Sequence, residues 1–251
     1  MPRLAAPGAG NVVPLRPGDA TVGACPLAKC DGTGWVETEA GVVEPCECRS
    51  LRRKRTRGVS SAIPPRYRGV SFDRPPVSDM ARRPETRDVV AVVREYVEEL
   101  REMLARGRGL WLSGDIGTGK TTLAMLVSSA AAEAGYSLAV YSLPRLLARI
   151  RRTYDADPAE DSYLEFFERL TSVDLLHIDD LGAEKRSDWV LEQLYAIIDE
   201  RYVSERAVIV TTNLDEAELE EQIGARTVSR LVEICGDPLR LEGPDQRYRA
   251  T

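Results

Sequence analysis

An α/β fold, a parallel sheet sandwiched by helices, is predicted by three features of the sequence. Short apolar runs at residues 109–113, 137–141, 173–178 and 207–212 alternate with segments of helical period. A glycine-rich turn, residues 114–121, lies between the first run and the helix after it, and two acids, Asp179 and Asp180, close the third run. Unbroken apolar runs mark strands buried on both faces, and helical crossovers between such strands keep them parallel.

The elements follow in chain order. Val89, Val92, Val93, Tyr96, Val97, Leu100 and Leu104 supply the apolar positions of a single amphipathic helix over residues 89–104. After the first strand a helix runs over 120–133. Ser142 caps the next helix, with Pro144 in its first turn, and that helix extends towards Arg152. A polar gap at 155–161 leads into an aromatic helix over 163–170. A longer helix over 187–203 separates the third and fourth strands, and short helices at 215–223 and 226–233 precede a closing strand near 239–242. Ahead of this body the texture differs. Residues 1–23, crowded with Pro and Gly, read as a flexible tail, and 24–50 carry four cysteines. Residues 51–83 form a basic, proline-containing linker with the cationic run 52–57, which leaves 84–251 as the α/β domain.

Composition narrows the chemistry. The 251 residues are 43% hydrophobic and 29% charged, too apolar for general disorder. No uncharged run approaches the roughly 18 apolar residues of a membrane span, and the N-terminal residues lack a signal-peptide core, so the expectation is a cytoplasmic protein with no membrane partner. The one histidine, His177, excludes zinc-protease helices and most His-based triads, and its place in mid-strand reads as core packing. Residues 1–75 carry 12 Lys+Arg and 7 Asp+Glu against 22 and 33 in the remainder, so a head at +5 precedes a body at −11. Such an asymmetry points to two modules with different partners.

Residues 114–121 fit the pattern G-x-x-x-x-G-K-S/T in full, with a strand leading in and a helix leading out. The glycines let successive amides face a phosphate, and the helix N-terminus adds partial positive charge. Gly114, Gly117, Thr118, Gly119, Lys120, Thr121 and Thr122 are therefore the candidate nucleotide-binding set. Lys120 would reach the β- and γ-phosphates, and the Thr121 hydroxyl would hold Mg²⁺. Asp179 and Asp180 end their strand at the sheet edge where open α/β sheets bind ligands. Asp179 would hold Mg²⁺ and Asp180 would orient the attacking water; its reach is shorter than that of Glu, which predicts slow hydrolysis. Asn213, at the end of the fourth strand, is placed either to meet the γ-phosphate or merely to start a turn.

Cys25, Cys30, Cys46 and Cys48 supply four thiolates, enough for a tetrahedral zinc site that would fold a segment too small to have its own core. Disulfides are the competing reading, which the reducing compartment expected of a nucleotide-hydrolysing protein disfavours. Cys235 is left over as a buried thiol.

Taken together these residues resemble the AAA+ P-loop ATPases of the DnaC/DnaI type, bacterial replicative helicase loaders, and the related IstB transposition helpers. Residues 63–68 and 71–73 resemble that family's lead-in, 114–121 its Walker A, 175–182 its Walker B, 210–214 its sensor 1 and 224–231 its box VII. The likeness spans about residues 62–250. It implies an AAA+ ATPase that binds ATP and Mg²⁺, loads the replicative hexameric helicase in DNA replication, binds single-stranded DNA and self-associates through the ATP site. By the resemblance Arg230 is the arginine finger, with Arg226 one turn earlier on the same face, and Arg247 is the final, sensor-2-like arginine. The zinc-bearing N-terminal region would dock the helicase. Arg149, Arg151, Arg152 and Tyr154 fall where relatives contact single-stranded DNA, while Phe166 and Phe167 are expected to pack onto the domain. An IstB-like helper of a transposase and a non-catalytic ATP-bound adaptor are the alternatives.

Overall fold

The computed structural model describes residues 25, 27, 29–30, 35–38, 42–48, 63–154 and 162–246. The expected tail, the turn after Cys30, the basic run 52–57, the polar gap and Arg247 lie outside the described residues.

A short antiparallel hairpin, β1 (Trp35–Glu37) and β2 (Val43–Pro45), lies between the two cysteine pairs. From Ile63 onward the chain joins the main body. A 3-10 turn (Pro65–Tyr67), α1 (Val77–Met80), α2 (Arg87–Glu98) and α3 (Leu100–Ala105) precede the first strand of the large sheet. Next come β3 (Leu110–Gly114), α4 (Lys120–Glu133), β4 (Leu138–Ser142), α5 (Leu143–Tyr154) and α6 (Tyr163–Ser172). The chain continues through β5 (Leu175–Asp179), α7 (Asp188–Val203), β6 (Ala207–Thr211), α8 (Glu216–Ile223), α9 (Ala225–Cys235) and β7 (Leu239–Leu241).

The five strands run parallel in the order β4-β5-β6-β3-β7. The alternation of side chains explains why each strand is apolar throughout. Leu110, Leu112, Val140, Leu175 and Ile209 face one layer with α2 and α4. Trp111, Ala139, Tyr141, Leu176, Ile178, Val208 and Val210 face the other, with α5, α6, α7 and α9. β6 lies between β3 and β5, so the glycine-rich turn and the acidic pair are separated by one strand whose last residue is Thr211.

One local expectation is corrected. The single helix over 89–104 is two helices: Glu99, at φ −97 and ψ 16, tightens the turn, and the Glu102 amide bonds back three residues to its carbonyl at 2.9 Å. Ser142 ends β4 and directly precedes α5, the position expected for a cap, with Pro144 in that helix's first turn. Side chains cap the starts of α6, α7 and α8: Ser162 and Glu165 bond reciprocally at α6, Asp215 and Glu218 do the same at α8, and Ser187 accepts the Val190 amide at α7.

Arg201 has no exposed surface. Its guanidinium donates to the carbonyls of Leu170, Thr171, Val173, Asp174 and Ala207 at 2.6–3.4 Å. It ties the end of α6 to the starts of β5 and β6, satisfying carbonyls that a helix terminus leaves without partners. Burial pulls its pKa down to about 9, so it stays charged at neutral pH. Among the described residues no helix is long and apolar enough to cross a membrane.

Candidate nucleotide site and cysteine cluster

The turn after β3 needs glycine for reasons of space as well as dihedral angle. Gly114 sits at φ +128 with its Cα against the Leu241 carbonyl, and Gly119 at φ +106 faces the tip of the Met80 side chain; a Cβ at either would collide. Within the turn the Thr118 hydroxyl donates to the Asp115 carbonyl at 2.9 Å. Lys120, the first residue of α4, is buried, and its Nζ donates to the carbonyls of Gly114 and Asp115 at 2.7 and 2.6 Å. Thr121 and Thr122 follow, both half-buried. The C-terminal segment reaches the same turn, where the Gln246 amide donates to the Gly117 carbonyl at 3.0 Å and the Gln246 side chain bonds Arg83.

Asp179 joins the two halves of the site. Its Oδ1 accepts from the Thr121 hydroxyl at 2.9 Å and from the Thr211 hydroxyl at 2.8 Å. Burial alone would raise its pKa, but His177, Thr211 and Thr121 together outweigh that and hold it below the ordinary carboxylate value. His177 is fully buried, as expected of a packed strand residue. Its Nδ1 lies 2.9 Å from the Ser128 hydroxyl on α4, and its Nε2 points along the strand at 3.9 Å from Asp179 Oδ1. An ionised carboxylate beside a threonine hydroxyl, at the head of a phosphate-type turn, fits a hard cation with oxygen ligands.

Asp180 lies in the left-handed region at φ +58, a conformation that Asp tolerates better than most side chains. Its amide donates to the Thr211 hydroxyl at 2.9 Å. The backbone thus gives a physical reason for Asp rather than Glu at this position. Thr211 is the residue that reading the sequence misses: in an apolar run of β-branched residues a threonine passes for strand former. Asn213 lies two residues further on and is exposed.

Arg230 is engaged on the α7–α9 surface. Its guanidinium pairs with Asp199 at 3.0 Å and Glu233 at 3.1 Å and lies 4.1 Å from the centre of the Tyr202 ring. Arg226, one turn earlier, is exposed. On α5, Arg149 lies over the ring of Phe166 at 5.5 Å and Arg151 over Trp189 at 4.6 Å. Tyr154, more than half exposed, stacks on Tyr163 with ring centres 5.4 Å apart. Phe166 is fully buried and Phe167 packs at the edge of the same core, as expected.

The four N-terminal cysteines converge. All four Sγ atoms lie within 4.8 Å of one another, with Cys25 and Cys46 at 3.8 Å and Cys30 and Cys48 at 3.7 Å. A Zn–S bond of about 2.3 Å in a tetrahedron implies sulfur–sulfur edges of about 3.8 Å, so the cluster has the dimensions of a zinc site. A disulfide would need about 2.05 Å. Burial works against ionisation of Cys25, but the backbone groups of Lys29, Leu27 and Cys30 outweigh it and bring its pKa down to about 6, whereas burial and the neighbouring thiols push Cys48 up to about 12, so the Cys25 thiolate forms readily and that of Cys48 needs the cation.

Comparison with known proteins gives this geometry a lineage. The chain is 23% identical over 193 residues to the replicative helicase loader DnaI of Bacillus subtilis (strain 168), covering 72% of this chain but 59% of that protein. It is 26% identical over 186 residues to the replicative helicase loader DnaC of Escherichia coli (strain K12), covering 74% of this chain and 71% of that protein. The crystal structure of the DnaC helicase loader superposes with a TM-score of 0.61 at 26% identity, over 71% of this chain and all of that one. AMPPCP-bound DnaA from Aquifex aeolicus, at 23% identity and a TM-score of 0.55 over 66% of this chain and 50% of that one, shares the fold. The model of IstB-like ATP binding proteins matches residues 94–232, more than half of the chain, and the chain belongs to that family.

Proposed function

We propose that the chain is an ATP-dependent loader of a replicative hexameric DNA helicase, acting in the cytoplasm during DNA replication. The observation that carries this reading is the bond between Thr121 and Asp179 across the sheet edge. It is found in a chain 26% identical to a helicase loader over about three quarters of its length. In this reading Lys120 and the amides of residues 114–121 hold the phosphates, with Gly114, Gly117, Thr118, Gly119 and Thr122 shaping the cradle. Thr121 and Asp179 hold Mg²⁺, which supplies charge neutralisation when bound. Asp180 orients the attacking water, its short side chain setting the slow hydrolysis of a release switch rather than a motor, and Asn213 stands ready beside the γ-phosphate position. Self-association through the ATP site brings Arg230 to the phosphates held by a neighbouring copy, after it leaves Asp199 and Glu233. Single-stranded DNA runs over α5 at Arg149, Arg151, Arg152 and Tyr154 and stimulates turnover, by backbone contact and stacking. Residues 24–50, folded by zinc on Cys25, Cys30, Cys46 and Cys48, dock the helicase; residues 51–83, which pack against the body from Ile63 onward, link them to the ATPase domain at 84–251, with Arg247 as its closing sensor.

The test is to mix the protein with the replicative helicase of its host and ATP, and resolve the mixture by size-exclusion chromatography. A complex that weakens when residues 1–60 are deleted is the expected result. Co-elution with a transposase in place of the helicase would move the reading to the IstB-like alternative.

A further inference from the structure

Hydrogen bonds zip the end of β6 to the acidic pair and to Leu181 just after it. The Thr211 hydroxyl accepts from the Asp180 amide at 2.9 Å while donating to Asp179 Oδ1 at 2.8 Å. The Leu181 amide donates to the Thr211 carbonyl at 2.7 Å. The Thr212 hydroxyl, one residue on and also fully buried, donates to the Leu181 carbonyl at 2.7 Å and accepts from the Leu214 amide at 3.1 Å. The two threonines are equally buried and equally bonded, but only Thr211 touches the carboxylate strand's functional end.

The position of Thr211 follows from the topology. β6 is the strand between the phosphate turn and the acidic pair, so a short hydroxyl at its end reaches both Asp179 and the Asp180 backbone. The hydroxyl has one proton, spent on Asp179, and accepts the Asp180 N–H with a lone pair. Thr121 also donates to Asp179, and a hydroxyl that faces a cation with a lone pair keeps its proton for such a carboxylate. Thr211, set back in the strand, is the second donor that fixes Asp179, and the same oxygen accepts the amide of Asp180 in its left-handed conformation.

We propose that Thr211 is a positioning residue for both carboxylates: one hydroxyl sets the orientation of Asp179 towards the Mg²⁺ of a bound nucleotide and the backbone geometry from which Asp180 acts. This rests on the nucleotide-binding reading above. Outer partners of metal-binding carboxylates are worth about 10- to 100-fold in metal affinity or activity, so the effect is measurable without turnover.

The experiment titrates Mg²⁺ against binding of a fluorescent, non-hydrolysable ATP analogue to the full-length chain and its variants, with thermal midpoints measured alongside. Thr211→Val is expected to raise the Mg²⁺ midpoint at least tenfold while leaving Mg²⁺-free binding of the analogue unchanged. Thr211→Ser should return the midpoint to within about threefold of the wild type. Thr212→Val, which removes a matched buried hydroxyl, should lower the thermal midpoint by a similar amount and leave the Mg²⁺ midpoint in place. Thr211→Ala carries the same expectation should the valine variant fail to fold. Equal Mg²⁺ midpoints for the Thr211 and Thr212 variants, or no shift at Thr211, would overturn the inference. A wild type with no Mg²⁺-dependent nucleotide binding would instead overturn the functional reading on which it rests.

Discussion

Around Asp179 the converging side chains are held by two hydrophobic layers and a five-stranded sheet, whereas around Cys46 there is almost nothing to hold them. Among the described residues 25–48 only Cys46 and Cys48 are buried, and Trp35, Val42 and Val43 of the hairpin are exposed. In the first region the fold makes the site. In the second, the described residues offer a short hairpin, an exposed Lys29–Glu47 pair and four sulfurs at zinc-site spacing, and a segment this short cannot bury enough apolar surface to offset its chain entropy, so the sulfurs are the feature able to fold it. The nucleotide site should therefore survive loss of any one polar group with its architecture intact, and the cysteine module should not.

The largest expected effect tests that contrast directly. Zinc binding to such sites is worth about 10–16 kcal/mol and is inseparable from folding. Chelation with phenanthroline, or Cys46→Ser, should release one zinc per chain and make residues 25–48 sensitive to protease, while nucleotide binding to the body persists. Protease resistance of the module after complete zinc removal would break the comparison.

Within the body, the strongest single dependence should lie at Arg201 rather than at the site. Arg201→Leu leaves five carbonyls at the junction of α6, β5 and β6 without their donor. Breaking a buried, multiply bonded charge of this kind costs about 4 kcal/mol, which for a domain of this size lowers the unfolding midpoint by roughly 10 °C. A shift under 3 °C in a thermal melt would show that the junction is held by packing alone. Lys120→Ala should do the converse. Its Nζ holds two carbonyls of the phosphate turn itself, so ATP affinity should fall by about two orders of magnitude while the thermal midpoint moves less than for Arg201→Leu. Calorimetric titration with ATP checks the second half, and retained affinity would remove Lys120 from the site.

These two residues also mark what the sequence could convey. Lys120 is legible because the motif around it is local: a strand, a glycine turn and a helix start, all within a dozen residues. The acidic pair is legible for the same reason, and so is the alternation of strands that predicts the sheet. Arg201 reads as one more charged residue on a long helix, since its burial depends on where α6 ends and β5 begins, and no local pattern encodes that meeting. Thr211 is hidden inside a run of strand formers until β6 is placed between β3 and β5, a strand order that periodicity does not specify. The turn at Glu99 has no glycine or proline to announce it. The cysteines are readable as ligands by count, but the convergence of all four sulfurs to within 4.8 Å depends on the hairpin that folds the chain back between them.

The smallest structural effect, paired with a large functional one, is expected at Arg230, whose surroundings fall between the two regions compared. It is neither buried like Arg201 nor part of a ligand cluster; its partners Asp199, Glu233 and Tyr202 form a half-exposed surface group. Surface ion pairs of this kind contribute little to stability, so Arg230→Ala should leave the thermal midpoint within about 3 °C and ATP binding unchanged. A guanidinium delivered to transferring phosphate from a neighbouring copy contributes about 10³-fold or more to turnover. DNA-stimulated ATP hydrolysis by the variant should therefore fall to the background of isolated chains. Mixing it with a Lys120→Ala variant, whose intact Arg230 can reach the intact nucleotide site of an Arg230→Ala neighbour, should recover part of the rate, although neither variant is active alone. Normal hydrolysis by Arg230→Ala alone would assign the arginine to its surface partners and nothing more.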